Sequence, residues 1–363
     1  MVDPRHMLTE IADRQRAWLK TLFEQPPVID DLDQDLTTYQ AMMVDPTVSA
    51  CIETIKTAIL DQPPTIIAAP NGEHVAAEIE LQLSRLDLEN WLWISLNALW
   101  RGFNAQEITW EFDDRAQQFH LLELAELDAE STGFGLDAKD RLQSILYQPG
   151  GAERQEIPLG KVWLHRHKPS RLHPAGQSIL QAAYRPYRAK DQLTKYWSLS
   201  CQRYGMPQII GSAPAGTPQS VVDDFLKASR AIQLDGVAVV PDQIAYQIIT
   251  PTYAQAVVFA EALHWMDAQI QAALLLQFKA GSILGPENVT EGAIVAQGGS
   301  TSQRILHIAR ELSQSFTNQV VRPLVAANWG PQASVELCPQ LLIPEPPAPP
   351  NAPGDEQNVP GDE

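Results

Sequence analysis

The chain has 363 residues, 44% of them apolar and only 19% charged, which is enough for two or three structural units with large buried faces, subunit interfaces included. Its 26 Lys and Arg against 44 Asp and Glu leave a net charge of −18. This excludes the tight, indiscriminate phosphate binding of a histone or a repressor, which depends on cationic side chains displacing counterions.

Three cysteines, Cys51, Cys201 and Cys338, lie far apart with no C-x-x-C pair, arguing against a disulfide framework or a structural zinc and fitting a reducing compartment. The first fifteen residues are polar and mixed in charge, unlike a signal peptide. Residues 3–25 have the pattern of an amphipathic helix, stopped by Pro26-Pro27. A second helix is expected after Asp45-Pro46, with Asp45 as cap, Pro46 in the first turn and Val48, Ile52, Ile55 and Ile59 on one face. Pro63-Pro64 ends it, and Thr65–Ile67 is a short strand candidate. Residues 74–101 carry one more helical pattern, closed by Gly102 as C-cap. Strand composition follows at Ala105–Phe112, Phe119–Leu122, Leu142–Tyr147 and Lys161–Arg166. Helices leading into a meander make the fold class α+β.

The second half is mostly helical. A pattern from Gly176 to Tyr204 carries Pro186 as an expected kink. Strands are expected at Gln208–Gly211, Gly236–Val240 and Tyr246–Ile249, around a helix over Pro218–Ile232. This α/β insert separates two long helices, the second running from Tyr253 to Phe278. That helix is interrupted only by Glu261, His264 and Asp267, too charged for a membrane span. It is apolar on most faces, so it must be buried, in a core or against neighbouring subunits. Residues 279–300 hold five glycines and one proline and are expected to form a long functional loop. A last helix is expected over Thr301–Asn328, then a strand or extension over 331–343. Residues 344–363 hold seven prolines and five acids without a base, the composition of an extended, disordered tail.

Chemistry is sparse. The sequence has no G-x-x-x-x-G-K-[ST] phosphate loop, no G-x-G-x-x-G, no H-E-x-x-H and no G-x-S-x-G. No cofactor is expected, and no catalytic centre emerges. His165 and His167 would share one side of a strand, as two metal ligands can. The surrounding Arg166, Lys168 and Arg171 would repel a metal, which favours a basic surface strip. From Lys161 to Arg203 the chain carries nine Lys or Arg against one acid, Asp191, a segregation suited to docking on an acidic surface. Asp113-Asp114 and Asp223-Asp224 sit beside turn- or cap-forming residues and fit surface charge. Trp91, Trp93 and Trp100 fit core packing.

Five blocks in order resemble the Mu-like portal proteins of tailed bacteriophages. They are MMVDPTVSACIETIKTAIL (42–60), LNALWRGFNAQEITWEF (96–112), CQRYGMPQIIGSAPAGTP (201–218), DGVAVVPDQIAYQII (235–249) and VVRPLVAANWG (320–330). The stretch Gln277–Ser282 is only partly similar to the GQTLTT-like stretch of that family. The resemblance implies a homo-oligomeric ring, typically of twelve subunits, at one vertex of the phage head. Double-stranded DNA passes non-specifically through such a ring. It also docks terminase, the major capsid protein and neck or adaptor proteins, with no membrane involved. Residues 1–185 with 301–330 would form the wing, 186–205 and 253–278 the stem helices, 206–252 the clip, and 279–300 a channel loop, with little or no crown. The resemblance then nominates Lys279, Ser282, Glu287, Asn288 and Gln297 in the loop, and Arg188, Lys190, Lys195, Arg203, Glu261, Trp265 and Asp267 on the stem or its interfaces. Asp223, Asp224 and Lys227 are the clip candidates. Lys279 is the only Lys or Arg between Tyr253 and Arg304, and is expected to touch DNA transiently. Two other readings stay open: a structural oligomer without a DNA channel, and a nucleic-acid-processing enzyme using His165 and His167.

Overall fold

The computed structural model describes residues 32–138, 141–171, 173–204, 208–212, 214, 216–235, 245–249, 254–275 and 291–344. The expected helix over 3–25, the strand over 236–240 and the tail beyond 344 lie outside the described residues. The chain divides into two compact units, one of residues 1–22 and 186–267 and a larger one of 23–185 and 268–363.

The larger unit opens with α1 (Leu32–Met43) and α2 (Pro46–Ile59). The Asp45 carboxylate accepts from the Thr47 and Val48 amides, and Pro46 fills the first turn, where no N–H is needed. Val48, Ile52, Ile55 and Ile59 are buried as one face. Next come β1 (Thr65–Ile67) and three helices, α3 (Glu73–Leu83), α4 (Leu88–Ser95) and α5 (Ala98–Arg101), where the sequence pattern suggests one. The break has a local cause: Asp87 accepts from the Asn90 amide and starts a new helix. Trp91 and Trp100 are buried, and Trp93 stacks under the Lys56 ammonium, 4.4 Å from its ring centre.

A three-stranded antiparallel sheet has the order β3-β2-β7, with β2 over Phe103–Asp113, β3 over Gln118–Glu126 and β7 over Val162–Arg166. A second joins β4 (Thr132–Leu136), β5 (Leu142–Tyr147) and β6 (Gln155–Pro158). β4 and β6 escape sequence reading because their glycines and proline are poor strand formers. Phe103, Leu164, Ile145 and Leu36 meet in a core that also takes in Leu127 and Val162. Gly102 and Gly176 have φ of 96° and 98°, and a Cβ on Gly176 would run into the Gly102 carbonyl oxygen. Only glycine permits that approach.

The two long helices are α6 (Tyr184–Tyr204) and α8 (Ala254–Leu275). Pro186 does not kink α6: it sits in the first turn, after the 3-10 turn Ile179–Ala183, where its missing N–H costs nothing. Between them, β8 (Gln208–Ser212) pairs antiparallel with β9 (Ala245–Ile249), and α7 (Gln219–Asp235) lies between the two strands in sequence. Gly211 lies against Phe225 of α7.

The loop expected over 279–300 is corrected over its last ten residues, because α9 (Glu291–Phe316) is already helical there. Glycine lowers helix propensity by about 1 kcal/mol, and it misled the composition argument at Gly292, Gly298 and Gly299. A π-helical turn, Thr317–Val321, then leads into α10 (Arg322–Trp329). Pro323 cannot donate the i→i−4 bond, which accounts for the altered turn just before it. The short α11 (Ala333–Glu336) precedes β10 (Gln340–Leu342), which pairs antiparallel with β1.

Candidate functional site

The smaller unit carries most of the residues nominated by the sequence. On α6 and α8, Lys190 Nζ lies 2.7 Å from Asp267 Oδ1, with 14% and 30% of the two side chains exposed. Lys195 pairs with Asp191 one turn away, 2.6 Å. Arg188 is half-buried, and its Nε has no hydrogen-bond partner among the described residues. Arg203 lies in α6, but its side chain is outside the described residues.

Six consecutive α6 residues, Thr194 to Leu199, are all exposed. A helix turns once in about 3.6 residues, so this stretch meets solvent on every side, although it carries Tyr196, Trp197 and Leu199. The α8 helix shows the same imbalance. It is apolar almost all round, yet from Val258 to Leu275 only Ile270 and Leu274 are fully buried. Val258 is 64% exposed and Trp265 41%, with Glu261 also outside. Large apolar surface of this kind marks an interface with another molecule.

On α7, Asp223 accepts from the Gln219 amide (3.1 Å), and Lys227 Nζ lies 3.7 Å from Asp224 Oδ1, both exposed. Lys279, Ser282, Glu287 and Asn288 lie outside the described residues. Gln297 falls within the helical α9, its side chain likewise outside them.

The larger unit overturns the basic-strip reading of His165 and His167. Each is 2% exposed, because β7 packs in the core between β2 and the C-terminal helix. Burial, and then the neighbouring Arg166 charge, pushes the His165 pKa down to about 4. Burial, followed by Lys168, Arg304, His165 and His307, pushes that of His167 down to about 3. Both are neutral at pH 7 and almost wholly buried, poorly placed to act as general acids or bases on a substrate. No group of three His, Cys, Asp or Glu suited to a metal exists among the described residues. Asp113 caps its own turn, accepting from the Arg115 and Ala116 amides at 2.8 and 3.3 Å.

Sequence reasoning missed the amides that close the sheet. Asn328 Oδ1 accepts from the Phe119 N–H (2.7 Å), and its Nδ2 donates to the Phe119 carbonyl (2.9 Å). Gln319, in the π turn, does the same for Leu164 on the opposite edge strand, at 2.9 and 3.0 Å. The C-terminal helices thus occupy backbone groups on both edges of the β3-β2-β7 sheet. Trp163 adds an indole-to-Ser315 bond (3.0 Å) and edge-on packing against Phe316, 5.1 Å between centres. Among the described residues no helix is long and apolar enough to cross a membrane.

Among curated proteins none matches the chain. A chain from the neck of an empty gene transfer agent particle, computed with C6 symmetry, shares the fold at a TM-score of 0.57 and 12% identity, over 84% of this chain and 83% of that one. One from the neck of a native particle, computed with C12 symmetry, gives 0.56 at 11% identity, over 87% and 86%. An HK97-family phage portal protein from Corynebacterium diphtheriae is covered to 96% by 85% of this chain, at 10% identity, but its TM-score of 0.45 carries no weight. Identities this low speak to the fold alone, which is the mixed helix-and-sheet fold of such particles. The family model described as the portal protein of Mu bacteriophage matches residues 36–349. With a match over most of its length, the chain belongs to the Mu bacteriophage portal protein family.

Proposed function

We propose that the chain is the subunit of a portal ring, a passive conduit for double-stranded DNA at one vertex of a phage head, used in packaging and in ejection. The observation that carries this reading is the exposed apolar surface of the two long helices, which no part of the described chain covers. A ring is a closed heterologous assembly in which each subunit offers two different faces to its neighbours. The nearly all-apolar α8 and the exposed Tyr196, Trp197 and Leu199 of α6 supply such faces, and the C12 symmetry of one neck with the same fold supports twelve copies. The net charge of −18 suits a channel along which DNA slides, since cationic walls would hold its phosphates.

In this reading α6 and α8 form the stem, with Arg188, Lys190, Lys195, Arg203, Glu261, Trp265 and Asp267 on it or at its interfaces. The β8-α7-β9 insert is the clip, offering Asp223, Asp224 and Lys227 to terminase and to neck or adaptor proteins. Residues 1–185 with 301–330 are the wing, beside the major capsid protein. The segment around Lys279, Ser282, Glu287 and Asn288 faces DNA, with Gln297 at the start of the helix behind it. The subunit does no chemistry; the motor that drives packaging is another protein.

Electron microscopy of the purified protein, with its mass in solution, tests this. Twelve subunits of 40.2 kDa form a closed ring of about 480 kDa with an axial hole wide enough for a duplex. A compact dimer or tetramer without a hole would overturn it.

A further inference from the structure

In the larger unit a cavity of about 480 Å³ opens between the turn after β7, the 3-10 turn Ile179–Ala183, the last turn of α8 and the middle of α9. Its walls include His167, Lys168, Ser178, Gln181, Arg304 and His307. These are donors from three separate stretches of chain, converging on one space.

Several of them have donor capacity to spare. Lys168 is exposed and holds a left-handed φ of 46°, a backbone conformation strained for a non-glycine residue and recurrent at ligand sites. Arg304 gives one N–H to the Leu274 carbonyl at 3.0 Å, which leaves the rest of its fork available. Ser178 Oγ accepts from the Leu180 amide at 3.0 Å, and its own proton remains to be donated. His307 Nε2 lies 3.2 Å from Glu311 Oε1. The buried His167 has an Nε2 with no hydrogen-bond partner among the described residues. Its Nδ1 lies 4.0 Å from Glu311 Oε2, too far for a hydrogen bond. A buried orphan of this kind calls for a partner that the protein itself does not supply.

The charge balance selects the ligand. Lys168 and Arg304 line the cavity, while the Glu311 carboxylate lies beside His167 and His307, so the described lining is cationic in a chain that is otherwise acidic. A metal ion is disfavoured by those two cations and by the lack, among the described residues, of a suitable ligand group. A compact acceptor-only anion uses an ammonium, a guanidinium fork, a hydroxyl and an imidazole at once. We propose that this cavity binds a phosphate group. Inorganic phosphate and a nucleic-acid backbone phosphate share that chemistry.

The test is calorimetric titration of the full-length protein with inorganic phosphate, at constant ionic strength in chloride. The expected result is saturable binding of one phosphate per subunit, weakened at least tenfold in Lys168→Gln and in His307→Ala. Both side chains are exposed, so the variants should melt within a degree or two of the parent. If a short DNA duplex displaces the phosphate, the backbone is the physiological source; if it does not, the free anion is. Absence of saturable phosphate binding, or binding at parental strength in both variants, overturns the proposal. The readout needs no ring, so it stands or falls separately from the conduit.

Discussion

Lys190 on α6 and Asp267 on α8 meet at 2.7 Å, although 76 positions separate them in sequence. Their bond ties together the two helices that flank the β8-α7-β9 insert. Both are partly withdrawn from water, so it is a charge-assisted hydrogen bond and more than a solvated pair. Lys190→Met keeps the aliphatic stem and removes the charge, and should cost about 1–3 kcal/mol. In Lys190→Met/Asp267→Asn part of that loss should return, because no carboxylate is left unpaired. Urea unfolding of the parent, both single variants and the double variant measures the coupling; a coupling of zero would show the pair to be incidental.

The exposed face of the long helices predicts an assembly defect without a folding defect. Trp197→Ser and Trp265→Ser remove aromatic surface that solvent already reaches, so the isolated subunit should lose less than about 1 kcal/mol. In the ring proposed above, each buried indole would be worth roughly 2–3 kcal/mol. Sedimentation velocity should therefore show the variants shifting from ring to subunit at concentrations where the parent stays assembled.

Asn328 makes a different prediction. Asn328→Ala breaks two hydrogen bonds to Phe119 and should cost about 1–3 kcal/mol. It also bares an edge strand beside the exposed Phe112–Phe119 pair, whose rings lie 5.0 Å apart. Light scattering on warming should then rise earlier than for the parent, since unpaired edges template association. Asn328→Leu should behave alike, which would assign the effect to the amide and not to side-chain volume.

Acid should weaken the larger unit through its buried histidines. Their folded pKa values, about 4 for His165 and about 3 for His167, lie below the 6.5 of an unfolded histidine. Above pH 6.5 both states are neutral there and neither residue contributes. Below it the unfolded chain binds protons that the folded one refuses, so stability falls by ~1.4 kcal/mol per pH unit for each histidine. Unfolding free energies measured from pH 7.5 to 4.5 should decline over that window. A His165→Gln variant should show a shallower slope by about one proton; an unchanged slope would mean that His165 is protonated in the folded state.

Gly176→Ala and Gly150→Ala form a matched pair. Both positions have positive φ, 98° and 57°, but only at Gly176 does a Cβ meet backbone, at Gly102 and His167. Gly150→Ala should cost about 1 kcal/mol from backbone strain alone. Gly176→Ala should cost distinctly more, because the His167 turn beneath the cavity must shift. Thermal melts of the two variants measure the difference.

Periodicity and caps are local properties, and the sequence carries them plainly. The Asp45-Pro46 start, the Thr65–Ile67 strand, the β2 and β7 strands and the two long helices were all legible because each depends on residues within a turn or two. So was the family, since its blocks are short and occur in order. Glycine-bearing β4 and the glycine-rich start of α9 were not legible, because there distant packing outweighs a poor local propensity.

The sequence by itself placed this acidic, α+β chain in the Mu portal family, with two long helices around an α/β insert. Only the tertiary structure decided what its polar residues do. It sealed His165 and His167 into the core, set Lys190 against Asp267, and turned Asn328 and Gln319 onto the two edges of one sheet. It also gathered Lys168, Arg304 and His307 around one cavity. Charge and hydrogen-bonding capacity are written in a residue's identity, but whether they meet water, a partner or nothing depends on chain segments many tens to hundreds of positions away. No local pattern encodes that.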